Sequence, residues 1–473
     1  MFFESFVLNL SFLAVLVVAL TFDYVTKYFN YWYIRHIPNK TPIPFFGTDY
    51  HRVLGLRNTS EEVSTLYKKY EKEKYIGCIK SRIPDLIVKD PESIKKILST
   101  DFSNFHCRGY GLDRSQDVCL RNNLFYAEGE KWTLLRRKFE LLLNNMNNNI
   151  QDSLHDCLSG TNGDTNVQQL LSDILDTVFK DMLIDNNNDG SAIKYMRKII
   201  QKRTLSDKIK SYLKCIFPSI YNVLGFLVIP RQSLKQFVNV IKESRIMKVM
   251  KKTELIVQDE MMNDVKKYDT DSEFETAFST IAHFISEGYV PCQYLLTVLL
   301  FELAKNPDVQ SKARDSIKIL ANKDEENNYF KNTIREALRL HPPYSVITRK
   351  CMKLYQFNKD IVIDKGVTIT IPVEALHNDD KNYKDANIFN PSRFSDVNEK
   401  NYTFIPFGAG PRKCIGEQLA LEIVGSITST ILEKFYLETC DKTPIVLPVT
   451  DFNSARCIER DIWLKFKPIT DLK

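Results

Sequence analysis

The chain has no C-x-x-C pair. Its ten cysteines stand singly at 78, 107, 119, 157, 215, 292, 351, 414, 440 and 457. That spacing excludes zinc ribbons and thioredoxin-type redox sites, and the cysteines are too dilute for a disulfide scaffold. They read as free thiols in a reducing compartment, most of them inert and buried. Glycine is scarce at 16. No G-x-G-x-x-G follows a strand pattern, so the chain itself is not expected to bind a nicotinamide. Neither charge sign dominates: 65 basic against 59 acidic side chains leave +6. An excess that small, with both signs interspersed, gives no footprint for nucleic acid. No internal repeat is present. What is there is ordinary globular material, 44% hydrophobic and 26% charged in 473 residues, which excludes a disordered, collagenous or mostly membrane-embedded chain.

One apolar run stands out. From Ser5 to Phe22 there is no charge, and an 18-residue helix spans about 27 Å, close to a thin bilayer. Lys27, Arg35, His36 and Lys40 follow it. The positive-inside rule then leaves the rest of the chain in the cytosol. A cleaved secretory signal would want a basic start and a small-x-small exit. Here the start is acidic, and the exit reads Val18-Ala19-Leu20-Thr21-Phe22. Residues 1–24 are therefore read as a membrane anchor. Pro38, Pro42 and Pro44 remove donors and fix φ, so 25–46 reads as a stiff hinge. Most of 60–340 has helical periodicity, whereas 346–373 and 442–467 alternate Val, Ile, Thr and aromatics like short strands. The expected fold class is mainly α with minor β (α+β), as one large body over 47–473.

Three of the glycines fall in one short stretch, Phe404-Ile405-Pro406-Phe407-Gly408-Ala409-Gly410-Pro411-Arg412-Lys413-Cys414-Ile415-Gly416. A strong helix former follows from Glu417. Cys414 thus precedes a helix N-terminus, whose dipole favours thiolate. Glycines let the backbone approach a flat ligand. Thiolate is also the axial ligand that pushes electron density onto haem iron. The stretch resembles the F-x-x-G-x-R-x-C-x-G signature of the cytochromes P-450, with Phe407, Gly408, Gly410, Arg412, Cys414 and Gly416 in place.

Other elements follow in that family's order. Glu336-Ala337-Leu338-Arg339 resembles its E-x-x-R, and Pro391-Ser392-Arg393-Phe394 its P-x-R-F. The resemblance implies a buried architectural triad of Glu336, Arg339 and Arg393. Trp132 and Arg136 resemble its W-x-x-x-R. Together with Arg349 and Arg412 they are implied to hold the haem propionates, a task that suits a guanidinium fork. The resemblance is to microsomal members, and in texture to insect members of the detoxification clan. It implies a P-450 fold enclosing haem b, with Cys414 on the iron. It also implies insertion of one oxygen atom from O2 into a lipophilic small molecule. Electrons would come from NADPH through a membrane-bound NADPH-cytochrome reductase, with cytochrome b5 as a second partner, at the endoplasmic reticulum membrane. Lys131, Arg137, Lys138 and Lys413 would offer such partners a basic docking face. Pocket walls are expected near 105–122, 205–240, 280–295 and 343–348, with Cys292 at the pocket's edge.

The resemblance fails above the haem. Members usually carry A/G-G-x-D/E-T on a central helix, where the acid and the threonine relay protons to dioxygen. The gapless match here is Glu287-Gly288-Tyr289-Val290-Pro291-Cys292. Gly288 is kept, but Val290 and Pro291 relay no proton. Proline also lacks an N–H for the carbonyl of Glu287, so the helix is expected to kink there. Three readings stay open. Water or substrate supplies the protons to a monooxygenase, which is the lead, with Glu287 as a substitute acid. Or the enzyme is an isomerase or dehydratase of a pre-oxidised hydroperoxide. Or the protein is a non-catalytic haem-binding ligand sink.

Overall fold

The structure, a computed structural model, describes residues 6–80, 83–146, 154, 157–184, 191–202, 204–251, 273–320, 328–358, 361–395, 402–452 and 455–469. The body expected over 47–473 divides into two compact units, Met1–Gly109 with Val346–Ala375, and Tyr110–Ser345 with Leu376–Lys473.

The first unit begins with the helix Phe6–Thr26. It is 21 residues long, and none of its own residues is buried. At 1.5 Å per residue it is about 31 Å long. Its length and its mean hydropathy of 2.2 fit a membrane anchor. The segment read as a hinge is not a free linker. Trp32 is fully buried, and its indole N–H donates to the Cys78 carbonyl at 2.6 Å. Gly77 N–H donates to Pro38 O at 2.8 Å, and Arg35 pairs with Asp364 at 2.7 Å. The prolines stop regular structure, as expected, but the aromatic and basic side chains between them fasten the segment to a sheet. That sheet has four strands in the order Tyr75–Lys80, Ile83–Val88, Thr368–Ile371, Ile347–Lys350. The middle pair is parallel and the outer pairs antiparallel. The first two strands lie where helical periodicity was read. The two pair with each other, and Ile83–Val88 also pairs in parallel with Thr368–Ile371, a long-range choice that local pattern does not carry. Leu66, from the helix Thr59–Lys69, packs on Ile76, Cys78 and Ile87 below the sheet.

The second unit is helical, and its core is built around one long helix. This runs from Glu273–His283 through a π-helical turn, Phe284–Tyr289, into Val290–Lys305. Leu295, Leu296, Val298, Leu299 and Leu300 are all buried, so the helix is apolar on every side. Helices Val167–Leu183, Tyr329–Leu340 and Glu417–Lys434 pack against it. Two small antiparallel sheets complete the unit. One orders Gly163–Asn166, Trp463–Pro468 and Phe435–Thr439; the other is a hairpin of Val449–Phe452 with Ala455–Ile458.

Two histidines are sealed in this unit. Nδ1 of His283 lies 2.9 Å from Asn123 Oδ1, and Nε2 of His377 accepts the Ile405 N–H at 3.0 Å. Burial pushes both pKa values down to about 3, helped at His377 by the charge of Arg339. The unfolded chain therefore binds protons below about pH 6.5 that the folded chain refuses. Stability falls as pH drops from 6.5 toward 3, by roughly 2 kcal/mol per histidine at pH 5. Chemical denaturation at pH 7 and pH 5 should show this loss, and His283→Gln should make it smaller. An unchanged slope in that variant would rule out His283 as a source.

Candidate active site

The cysteine loop is shaped by its glycines. Gly408 and Gly410 sit at φ of 75° and 69°, left-handed values that L side chains adopt only with strain. Gly408 N–H donates to Ile405 O at 3.0 Å, Lys413 N–H to Gly410 O at 2.9 Å, and Cys414 N–H to Phe407 O at 2.9 Å. These turns bring the chain round so that Cys414 is exposed, one turn before Glu417–Lys434, which starts from Gly416. Lys413 Nζ pairs with Glu417 at 2.6 Å across that start.

The helix Gly129–Asn144 supplies the flank. Arg412 is buried; its Nη2 donates to the Ala127 carbonyl, and its guanidinium carbon lies 5.0 Å from the Trp132 ring centroid. Arg136, one turn after Trp132, donates to the Lys413 carbonyl at 2.6 Å and to Glu140 at 2.8 Å. Trp132 and Arg136 are thus brought to Arg412 and Lys413, the two residues before Cys414. Arg349 belongs to the first unit, where it is buried on the strand Ile347–Lys350 and donates to Thr348 O at 2.8 Å. The buried Cys292 thiol is pushed up to about 12, by desolvation first and by the charge of Cys414 second.

Glu336, Arg339 and Arg393 meet. Glu336 and Arg339 have fully buried side chains, and Arg339 is joined through Nε and Nη2 at 2.8 Å each. Arg393 Nε and the Asn390 N–H complete the carboxylate at 3.0 and 2.9 Å. Arg339 Nη1 donates to the His377 carbonyl at 2.7 Å. Through the His377 ring, Ile405 and Gly408, the ion cluster is hydrogen-bonded step by step to the cysteine loop.

The central helix answers Pro291 with the π turn just before it, rather than with a break. Widening the ladder by one residue relieves the demand for an N–H at 291. A pocket opens against this turn. Ser286, Glu287 and Val290 line it, together with Cys119, Leu120, Asn123, Tyr126, Ala282 and Val228. Gly288 faces away, with Phe179 3.6 Å from where a Cβ would stand. Cys292 and 343–348 are not part of this lining, whereas Ile200, Gln201 and the hairpin residues Ala455 and Cys457 are. Tyr344 instead donates its hydroxyl to Glu287 Oε2 at 2.5 Å. Tyr344 lies within the wall expected over 343–348, but its bond to Glu287 and the hairpin's place in the lining come from long-range packing that local pattern does not carry. The pair of prolines before Tyr344 was the one local signal of a fixed turn.

The cytochrome P-450 family model matches residues 37–456. Lithocholate 6-beta-hydroxylase of Mesocricetus auratus is 30% identical over 453 residues, covering 86% of each chain. Cytochrome P-450 9e2 of Blattella germanica is 25% identical, covering 92% of this chain and 93% of its own. Cytochrome P-450 6B1 of Papilio polyxenes is 27% identical, covering 91% and 94%. The chain belongs to the cytochrome P-450 family and is a monooxygenase of that family. The family implies haem, and the donors present suit it. An exposed thiol stands on a loop whose Gly416 would meet nothing within 4 Å if it carried a Cβ. A guanidinium and an indole lie together at its flank.

Glu336→Gln removes the charge that both arginines face and leaves them buried against a neutral amide. It should cost about 3–5 kcal/mol, read as a lower denaturation midpoint. A loss under about 1 kcal/mol would contradict the structural role given to this cluster.

Proposed function

We propose that this monooxygenase inserts one oxygen atom of O2 into a lipophilic small molecule, with electrons passed from NADPH by a separate membrane-bound flavoprotein reductase. The observation that carries the reading is Cys414, exposed on a glycine-turned loop at a helix start and flanked by Trp132 and Arg412. Haem b bound there supplies the electron-rich iron at which O2 is activated. Cys414 would hold its iron. Trp132, Arg136 and Arg412 would be the donors for its propionates. Phe407, Gly408 and Gly416 keep the loop low and apolar around the thiol.

The apolar pocket walls exclude water and orient the substrate. Val290 and Pro291 offer no proton, so Glu287, partnered by the Tyr344 hydroxyl, is the acid that holds one at the pocket. Lys131, Arg137, Lys138 and Lys413 flank the site and suit electrostatic docking of the reductase or of cytochrome b5. The helix Phe6–Thr26 anchors the chain in the endoplasmic reticulum membrane, with the remainder on the cytosolic side. Residues 47–473 act together as the catalytic body. A second reading, isomerisation or dehydration of a hydroperoxide, is favoured by the same Val290-Pro291 replacement, since such chemistry needs no delivered proton.

The reduced, CO-treated protein should show the strongly red-shifted Soret band of a thiolate, and Cys414→Ala should lose it. Absence of the band in wild type would refute the ligand assignment. Oxygenated product that requires NADPH and reductase supports the lead; turnover of a lipid hydroperoxide without reductase supports the second reading. Val290→Asp with Pro291→Thr should raise product per NADPH by roughly an order of magnitude. No gain would remove those positions from the proton route.

A further inference from the structure

Between the helices Val118–Arg121 and Gly129–Asn144 the chain turns at Asn123. Asn123 lines the pocket of the second unit and is only 2% exposed. Its backbone is held from both directions. The N–H donates to Leu120 O at 3.3 Å, and the carbonyl accepts the Tyr126 and Ala127 N–H groups at 3.1 and 2.9 Å. The side chain therefore leaves from a fixed base.

The partners of the carboxamide decide which way round it sits. Oδ1 accepts the Phe125 N–H at 2.8 Å, and a backbone N–H can meet only the oxygen end of an amide. Nδ1 of His283, on the central helix, lies 2.9 Å from the same oxygen. Burial keeps that imidazole neutral, so its one hydrogen sits on Nδ1 and is donated to Asn123. Both acceptor sites of Oδ1 are thereby filled. Among the described residues every side-chain hydrogen bond of Asn123 is made at this oxygen, which leaves Nδ2 with its two hydrogens. Nδ2 is not sealed into the protein, and the open space beside so enclosed a residue is the pocket. Gln201, the other amide of the lining, commits a hydrogen of Nε2 to Gln293 Oε1 at 2.7 Å.

We propose that the pocket takes lipophilic ketones, and that Asn123 Nδ2 donates to the carbonyl oxygen. This deepens the monooxygenase reading and rests on it. With Oδ1 filled, the amide can donate but cannot accept. A ketone asks only for a donor. An alcohol in the same place brings a hydroxyl hydrogen that Asn123 cannot receive, and taking a donor out of water without an acceptor weakens binding. Leu120, Val228 and Ala282 give the rest of the ligand apolar surroundings.

The test titrates the purified haem-loaded protein with 2-undecanone and with 2-undecanol, and reads binding as the ligand-induced shift of the Soret band. The two ligands share one carbon skeleton, so the apolar surface they bury is nearly equal. Wild type should bind the ketone about fivefold tighter, the size of one neutral hydrogen bond. Asn123→Leu has nearly the same volume and no donor, and should erase the preference. A loss of packing alone would weaken both ligands and leave their ratio unchanged. Equal binding or an alcohol preference in wild type overturns the proposal, and so does a ketone preference that survives Asn123→Leu. The wild-type comparison needs no variant, so it decides even if Asn123→Leu does not fold. The reduced CO spectrum keeps the two readings apart. A missing thiolate band defeats the monooxygenase reading, whereas a normal band without ketone preference defeats only the Asn123 assignment.

Discussion

The buried carboxylate of Glu336 is the interaction on which the second unit turns. Four donors converge on it from two segments, two from Arg339 and one each from Arg393 and Asn390. A carboxylate taken out of water survives only if its acceptor sites are filled with good geometry. Filling them fixes the helix Tyr329–Leu340 against Asn390–Phe394. The constraint then travels: Arg339 holds the His377 backbone, the His377 ring holds Ile405, and Ile405 accepts from Gly408. The position of Cys414 is thus tied to an ion cluster that never touches it. His377 can serve as an acceptor only while neutral, which its burial ensures.

The central helix shows how a fold absorbs a residue that breaks its local rule. A proline in a long buried helix leaves a carbonyl without its donor, a costly defect where no water can reach. The chain meets it by widening to a π turn over Phe284–Tyr289 and resuming α geometry at Val290. That turn is also where Ser286, Glu287 and Val290 reach the pocket. The substitution that removes two proton-bearing side chains from the helix therefore coincides with the irregularity that presents a third. Tyr344 then fixes Glu287 in place from outside the helix.

Polarity within the pocket follows the same logic of position over identity. Lys214 and Glu287 are ordinary charged residues by type, and their sequence neighbourhoods mark neither. What distinguishes them is that both line one largely apolar pocket. Field lines between enclosed charges are screened far less than at the surface.

Much of the chemistry was legible from local pattern. Gly408, Gly410, Arg412, Cys414 and Gly416 lie within nine residues, so a thiol on a glycine-turned loop before a helix needs no tertiary information. The apolar run that became Phe6–Thr26 and the i, i+3 pairing of Glu336 with Arg339 are local in the same sense. The rest depends on contacts between segments far apart in sequence. The strand Ile83–Val88 finds its second partner in Thr368–Ile371, and the hinge is fastened because Trp32 finds the Cys78 carbonyl. The hairpin wall at Ala455 and Cys457, the Tyr344–Glu287 bond and the enclosure of Lys214 arise likewise. Sequence by itself determined which groups could do the chemistry, since their types and short spacings are covalent facts. Only the tertiary structure decided which of them share a pocket and in what electrostatic surroundings, because burial is a property of what the folded chain places around a residue.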